Sequence, residues 1–154
     1  MSEPTFSLRW ARPAELDWIN QRYAEVDFVR SAGKDRVAVA EIGGLPAGLG
    51  RVVPLAPGVG ELGGMLVFDD YQGRGVARRL IAFLLALPDF HTMYCLPFAE
   101  LESLYASMGF AQVPPGADMP RHVIDKYGWC NTHYGRPVLL MRTAIPPGAN
   151  TLPL

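Results

Sequence analysis

The chain contains 154 residues, 49% of them hydrophobic, and carries a formal net charge of −1 at pH 7. A chain of this length and hydrophobic content can form one hydrophobic core but is too short to form two domains, each with its own core. Its charge argues against general nucleic-acid binding, because affinity for the phosphate backbone comes from clustered lysines and arginines.

Targeting and metal-binding signals are missing from the sequence. The start, MSEPTF, lacks the charged-then-apolar layout of a secretion signal, and the longest apolar run, 80–87, is too short to span a bilayer. Cys95 and Cys130 have neither the CxxC spacing of a zinc site nor the density of a disulfide framework. We therefore expect a soluble, cytoplasmic protein with reduced thiols, no metal and no membrane partner.

The N-terminal half predicts a strand, a helix and three further strands. TFSLRWA alternates like a strand, and Pro13 then opens a helical stretch. The apolar face of this helix consists of Leu16, Ile19, Tyr23 and Val26. RVAVAEI and PAGLGRVVPL flank the turn-forming GGLP and predict a hairpin, and GELGGMLVF predicts the next strand.

The C-terminal half predicts alternating helices and strands. An amphipathic helix from Val76 ends near Pro88, and a second helix, FAELESLYASMG, ends at Gly109. The strands are TMYCL, FAQV and VLLMRTA, and the Pro- and Gly-punctuated stretch 114–137 predicts at most a short helix. We therefore predict a single α/β domain over 1–145, with a mixed central β-sheet flanked by helices on both faces, and a frayed tail over 146–154.

A glycine loop, QGRGVA (72–77), opens the helix that begins at Val76. Glycines at a helix start leave main-chain N–H groups facing one point, which suits a pyrophosphate. A dinucleotide-binding fold would need a third glycine where Arg78 stands, and a P-loop would need GK[ST], so both of these alternatives match poorly.

The loop and its context resemble the GNAT N-acetyltransferase superfamily. Gln72, Gly75 and Ala77 match the acyl-CoA signature [Q/R]xxGx[G/A], which follows the strand ELGGMLV. The stretch LYASMGF is similar to the second motif of the family, a tyrosine-bearing helix that ends in GF. Phe98 departs from the family pattern, because many members carry an asparagine there that contacts the pantetheine.

The resemblance implies acetyl-CoA as the acetyl donor. Backbone N–H groups from Gln72 to Ala77 would hold the pyrophosphate, and Arg74 or Arg78 would reach a phosphate. The implied cofactor-binding residues are Leu66, Val67, Gln72, Gly73, Arg74, Gly75, Val76, Ala77 and Arg78.

The resemblance also implies the catalytic residues. Glu61 lies eleven positions before Gln72, where some superfamily members carry a base that acts directly or through a water. The N–H of Val67 would bind the oxyanion. Tyr105, four residues before Gly109, would protonate the departing CoA thiolate. The structural alternative for Glu61 is a solvated glutamate at the start of a strand. The alternative for Tyr105 is a tyrosine packed in the core.

Acceptor residues are expected in two aromatic, loop-like stretches, RYAEVDF and KYGWCNTHYG, because superfamily acceptor pockets are often lined from these regions. The candidates are Tyr23, Asp27, Phe28, Trp129, His133 and Tyr134. Packing residues are the alternative for each of them.

The function implied is direct transfer of an acetyl group to a primary amine, of a small molecule or a peptide, in a ternary complex. A non-catalytic acyl-CoA-binding or regulatory domain is the main alternative, and a purely structural α/β module is another. The acceptor is not identified by the sequence, which also leaves a homodimer open.

Overall fold

The computed structural model of the protein describes residues 4–143, which contain seven strands and four α-helices. The strands are β1 (Phe6–Trp10), β2 (Arg36–Ile42), β3 (Leu45–Ala56), β4 (Val59–Val67), β5 (Thr92–Cys95), β6 (Phe110–Gln112) and β7 (Met141–Thr143). The helices are α1 (Leu16–Glu25), α2 (Val76–Leu85), α3 (Glu102–Ser107) and α4 (Arg121–His133). The predicted end of the domain at 145 and the predicted tail lie outside the described residues.

The strands form one sheet in the order β1-β2-β3-β4-β5-β7-β6. β4 and β5 run parallel. The other pairings are antiparallel in these cases: β1 with β2, β2 with β3, β5 with β7, and β6 with β7. This arrangement confirms the predicted mixed α/β sheet. Within the described residues the chain forms two compact units, the first comprising 4–53 and 64–86 and the second 54–63 and 87–143.

In the first unit, α1 and α2 pack on opposite faces of β3, because successive side chains of a strand point to opposite sides. Leu49 belongs to the buried cluster that includes Ile19 of α1. Its neighbours Gly48 and Gly50 face α2 instead. A Cβ atom on Gly48 would lie 3.1 Å from Val76 Cγ1, and one on Gly50 would lie 3.1 Å from a methyl group of Leu84. These glycines therefore let α2 lie close to the strand.

In the second unit, α4 covers the sheet face that carries Tyr94, which packs with Met119 and Val123. The prediction of at most a short helix in this region was wrong, because α4 contains 13 residues. Pro120 precedes the first turn, where proline is tolerated, and Gly128 is exposed within the helix. The burial of Val123 and Cys130 on one side stabilises a helix that local propensity does not indicate.

Gly64 in β4 has a left-handed backbone with φ of 57°. A Cβ atom at this position would lie 2.6 Å from Tyr23 Oη and 2.8 Å from Arg51 Nε. We expect Gly64→Ala to lower the free energy of unfolding by about 2–4 kcal/mol, since backbone strain and overpacking add. Denaturant unfolding measures this loss.

Gly44→Ala is the matched control for this substitution. Gly44 has φ of 80°, and nothing lies within 4 Å of a Cβ atom built on it. Its substitution therefore carries the backbone strain alone, about 1–2 kcal/mol. Equal losses in the two variants would contradict the steric role of Gly64.

Candidate active site

The loop between β4 and α2 exposes backbone at the start of the helix. Gly73 and Gly75 have φ of 79° and 76°, and nothing lies within 4 Å of a Cβ atom at either position. Gly75 caps α2, so the N–H groups of Val76 and Ala77 belong to the first helical turn, where the helix offers them no carbonyl partner. Such N–H groups and the positive end of the helix dipole together favour an anion.

Short contacts hold this loop in place. Phe68 donates its N–H to the Ala47 carbonyl at 2.9 Å, and the Gln72 side chain donates to the Val67 carbonyl at 3.3 Å. The Arg74 guanidinium lies 5.4 Å from the centre of the Tyr71 ring. The loop is therefore tied both to β3 and to the end of β4.

The predicted cofactor-binding residues thus lie in one continuous stretch of the first unit. Leu66 and Val67 are half-buried at the end of β4, whereas Gln72 to Gly75 and Arg78 are exposed. Val76 is 2% exposed, so its backbone rather than its side chain is available to a ligand. The pairing of β4 with β5 ends at Leu62, five residues before Val67.

Glu61, in the second unit, is buried between two basic side chains of α4. It is 2% exposed, its Oε1 lies 2.9 Å from His122 Nε2, and its Oε2 accepts a hydrogen bond from Lys126 Nζ at 2.8 Å. Burial raises the pKa of Glu61, but the hydrogen bond from His122 and the charge of Lys126 outweigh burial, so the pKa lies below its ordinary value. The carboxylate is therefore ionised and fully engaged at neutral pH.

The cluster of Glu61, His122 and Lys126 includes two residues that the sequence interpretation missed. His122 and Lys126 are four residues apart, so a helix places them on one face. That spacing would have suggested a carboxylate partner if α4 had been predicted. The His122 side chain is 48% exposed, which makes it the exposed member of the cluster.

Tyr105 has a buried ring, 3% exposed, packed edge-on against Phe110 at 5.8 Å between ring centres. Burial, and to a smaller extent Cys95, raises the pKa of Tyr105 above its ordinary value, so the phenol keeps its proton at neutral pH. No hydrogen bond joins its hydroxyl to another described residue. Cys95 is buried too, and burial raises the pKa of its thiol.

The acceptor candidates fall into two groups, one in each unit. Tyr23 is fully buried and donates its hydroxyl to the Gly64 carbonyl at 2.8 Å, with the Phe28 ring 6.0 Å away. Asp27 is exposed just after α1, with φ of 60°. The packing interpretation is therefore strongest for Tyr23.

The second group lies at the end of α4. The Trp129 and His133 rings stack at 4.3 Å, and the Tyr134 ring meets both edge-on. Phe98 packs against Tyr134 at 5.2 Å, so this residue takes part in an aromatic cluster. Trp129 is 43% exposed, which leaves part of the cluster open to solvent.

Two kinds of feature are absent from residues 4–143. None of the helices there is long and apolar enough to cross a membrane. The same residues contain no group of three or more His, Cys, Asp or Glu side chains that could hold a metal ion.

A mixed sheet, with a glycine loop between β4 and α2, defines the architecture of the protein. Residues 33–112, more than half of the chain, match the family described as the acetyltransferase (GNAT) domain. The chain therefore belongs to the GNAT acetyltransferase family. A comparison with curated protein sequences gives no significant match.

Solved structures share the fold at low sequence identity. N-acetylglutamate synthase from Neisseria gonorrhoeae, complexed with coenzyme A and N-acetyl-glutamate, is 18% identical with a TM-score of 0.70 over 92% of this chain and 35% of that chain. Rv2747 from Mycobacterium tuberculosis, in complex with CoA, is 17% identical with a TM-score of 0.67 over 91% and 99% of the two chains.

A spermidine N-acetyltransferase from Vibrio cholerae is also 17% identical, with a TM-score of 0.63 over 89% of this chain and 92% of that chain. The chain spans only about a third of the length of the N-acetylglutamate synthase. At these identities the likeness establishes the fold alone.

Proposed function

We propose that the protein transfers the acetyl group of acetyl-CoA to a primary amine, of a small molecule or a peptide, by direct attack in a ternary complex. The observation that carries this proposal is the opening of α2, where Gly73 and Gly75 expose backbone N–H groups without a side chain in front of them. A pyrophosphate is the anion that suits several such groups at one helix end.

Acetyl-CoA is held in this proposal by the loop and its two exposed arginines. The N–H groups of residues 72–77 bind the pyrophosphate, and Arg74 and Arg78 offset its charge. Leu66 and Val67 contact the acyl end of the donor, where the N–H of Val67 binds the carbonyl oxygen. A fixed donor at that oxygen stabilises the negative charge that develops there during attack.

Three proton transfers accompany the proposed reaction, and in the last of them the acylated nitrogen loses its second proton to water. The amine loses a proton to the cluster around Glu61, because an ammonium group has no electron pair with which to attack. Tyr105 gives its phenolic proton to the departing CoA sulfur. Cys95 and Cys130 need no role, since the amine attacks the thioester itself and no acyl-enzyme forms.

Two of the proteins with a similar fold favour amine acceptors for this proposal, since one is an N-acetylglutamate synthase and another a spermidine N-acetyltransferase. The main alternative is a GNAT-like domain that binds acyl-CoA for a regulatory purpose without turnover. The burial of both Glu61 oxygens against basic groups is the observation that favours this alternative, because it weakens a direct base role.

Acetyl-CoA binding is the first test. A hundredfold excess of acetyl-CoA over its dissociation constant should raise the free energy of unfolding by about 2.7 kcal/mol, because the ligand binds only the folded state. Calorimetric titration and thermal melts measure the affinity and the shift. Folded protein that gives neither heat nor a shift at millimolar acetyl-CoA would refute the proposal. Release of CoA with a panel of amines then separates the enzyme from the regulatory alternative.

A further inference from the structure

An open pocket of about 950 Å³ lies in the second unit, beside the start of α4. Its floor is a row of three residues on neighbouring strands, because Arg142 of β7 pairs with Tyr94 of β5 and with Ala111 of β6. Residues that stand opposite each other in paired strands share one face of the sheet. Ala111 carries only a methyl group, which leaves room beside Arg142.

The pocket is separate from the residues proposed to hold the acetyl donor. Among the described residues that line it, none belongs to the glycine loop, and Leu66, Val67 and Tyr105 do not line it either. A molecule in this pocket is therefore not placed to react with the thioester. Concave sites with a few converging polar groups nevertheless bind small molecules.

One wall of the pocket is apolar and consists of Leu55, Val59 and Val113. These three side chains are half-buried and pack against the cluster that contains Tyr94 and Met119. Because the protein covers them only in part, an apolar ligand that lies on this wall would remove further apolar surface from water. The apolar wall therefore favours a ligand with an apolar body.

Arg142 supplies a positive charge to the floor of the pocket. Its side chain is half-buried, and its guanidinium lies 5.9 Å from the centre of the Tyr94 ring. In the part of the chain that the structure describes, no carboxylate lies within ion-pair distance of Arg142. The other arginine of the pocket, Arg121, is exposed and is paired with Asp125 at 3.3 Å. A guanidinium placed like that of Arg142 can bind a carboxylate through two parallel hydrogen bonds.

The charges around the pocket suit a ligand with a single negative charge. Asp118 also lines the pocket and is exposed. Its carboxylate opposes a second negative charge on the ligand, because like charges repel at short range. A monocarboxylate is therefore favoured over a phosphate dianion.

We propose that this pocket binds a small monocarboxylate with an apolar body, with the carboxylate on Arg142 and the body on the apolar wall. The ligand is not a reactant in the proposed acetyl transfer, and its binding does not depend on that transfer.

Titration with hexanoate tests the site at about pH 7, where the carboxylate is ionised. Hexanamide lacks the charge, and acetate lacks most of the apolar body. The readout is the NMR signal of the Met119 methyl group, which lines the pocket and which Met119→Leu assigns among the six methionines of the chain. Millimolar hexanoate should shift this signal saturably and bind about tenfold more tightly than either hexanamide or acetate.

Arg142→Gln should abolish the preference for hexanoate over hexanamide. The control is Arg136→Gln, at an exposed arginine of the second unit that is paired with Glu100 at 2.8 Å, and it should keep the preference. Arg142→Lys keeps the charge but not the planar guanidinium, so it should reduce the preference, and it replaces Arg142→Gln if thermal melts show that variant to be unfolded.

Three results would each overturn the carboxylate site: a Met119 signal that hexanoate does not shift, equal affinities of hexanoate and hexanamide, or an undiminished preference in the folded Arg142 variant. Equal affinities of hexanoate and acetate would overturn the role of the apolar wall. Saturating acetyl-CoA should leave the hexanoate affinity unchanged, and displacement of hexanoate would mean that it occupies the donor site instead. If the protein does not bind acetyl-CoA, the proposed acetyl transfer fails, and the hexanoate titration still decides this site.

Discussion

Replacing Gly75 by valine should abolish acetyl-CoA binding and leave the protein folded. Gly75 has φ of 76°, and its missing side chain leaves open space in front of the first turn of α2. A valine would put a branched side chain between the N–H groups and the pyrophosphate. It would also strain the backbone by about 1–3 kcal/mol, which is less than the 5–15 kcal/mol that stabilises a typical domain.

Gly44→Val separates the lost site from the strain. Gly44 has a similar φ of 80° and equally open surroundings, but it lies in the turn between β2 and β3. Both variants should therefore lose similar stability in thermal melts, and only Gly75→Val should lose calorimetric binding. Wild-type affinity in Gly75→Val would mean that acetyl-CoA does not use the opening of α2.

Replacing Tyr105 by phenylalanine should lower turnover far more than acetyl-CoA affinity. Proton donation to sulfur strengthens only as the carbon–sulfur bond breaks, so the loss belongs to the transition state. A general acid contributes ~10²–10⁴-fold in typical enzymes, but a thiol pKa near ~8.5 makes CoA a moderate leaving group, so the loss could be as small as about tenfold. Steady-state CoA release and calorimetric titration of both proteins measure the two quantities.

The same variant tests the structural alternative for Tyr105. Its ring is buried against Phe110, and its hydroxyl has no hydrogen bond to a described residue, so phenylalanine should change the melting temperature little. Tyr127→Phe, at a half-buried tyrosine that packs in the apolar cluster of the second unit, is the control and should keep wild-type turnover. Unchanged turnover in Tyr105→Phe would assign Tyr105 to the core, and a loss of affinity alone would make it a cofactor contact.

Most strands and three of the four helices agree with the patterns in the sequence, because those patterns are local. Alternating side chains identified β1, the turn-forming GGLP identified the hairpin of β2 and β3, and helical spacing identified α2, whose apolar face packs close to Gly48 and Gly50. α4 was underestimated, because Gly128 within it lowers local helix propensity, Pro120 directly precedes it, and only packing against Tyr94 reveals its buried face.

By itself the sequence determined the glycine loop that precedes α2. Residues 66–78 are contiguous in the chain. Gly73 and Gly75 have positive φ angles, which glycine adopts without strain because it has no side chain. Tertiary structure decided the surroundings of Glu61. His122 and Lys126 lie 61 and 65 residues away along the chain, and only the packing of α4 on the sheet brings their charges to one carboxylate. Contacts between distant segments depend on how buried surfaces fit together, which local periodicity and spacing do not encode.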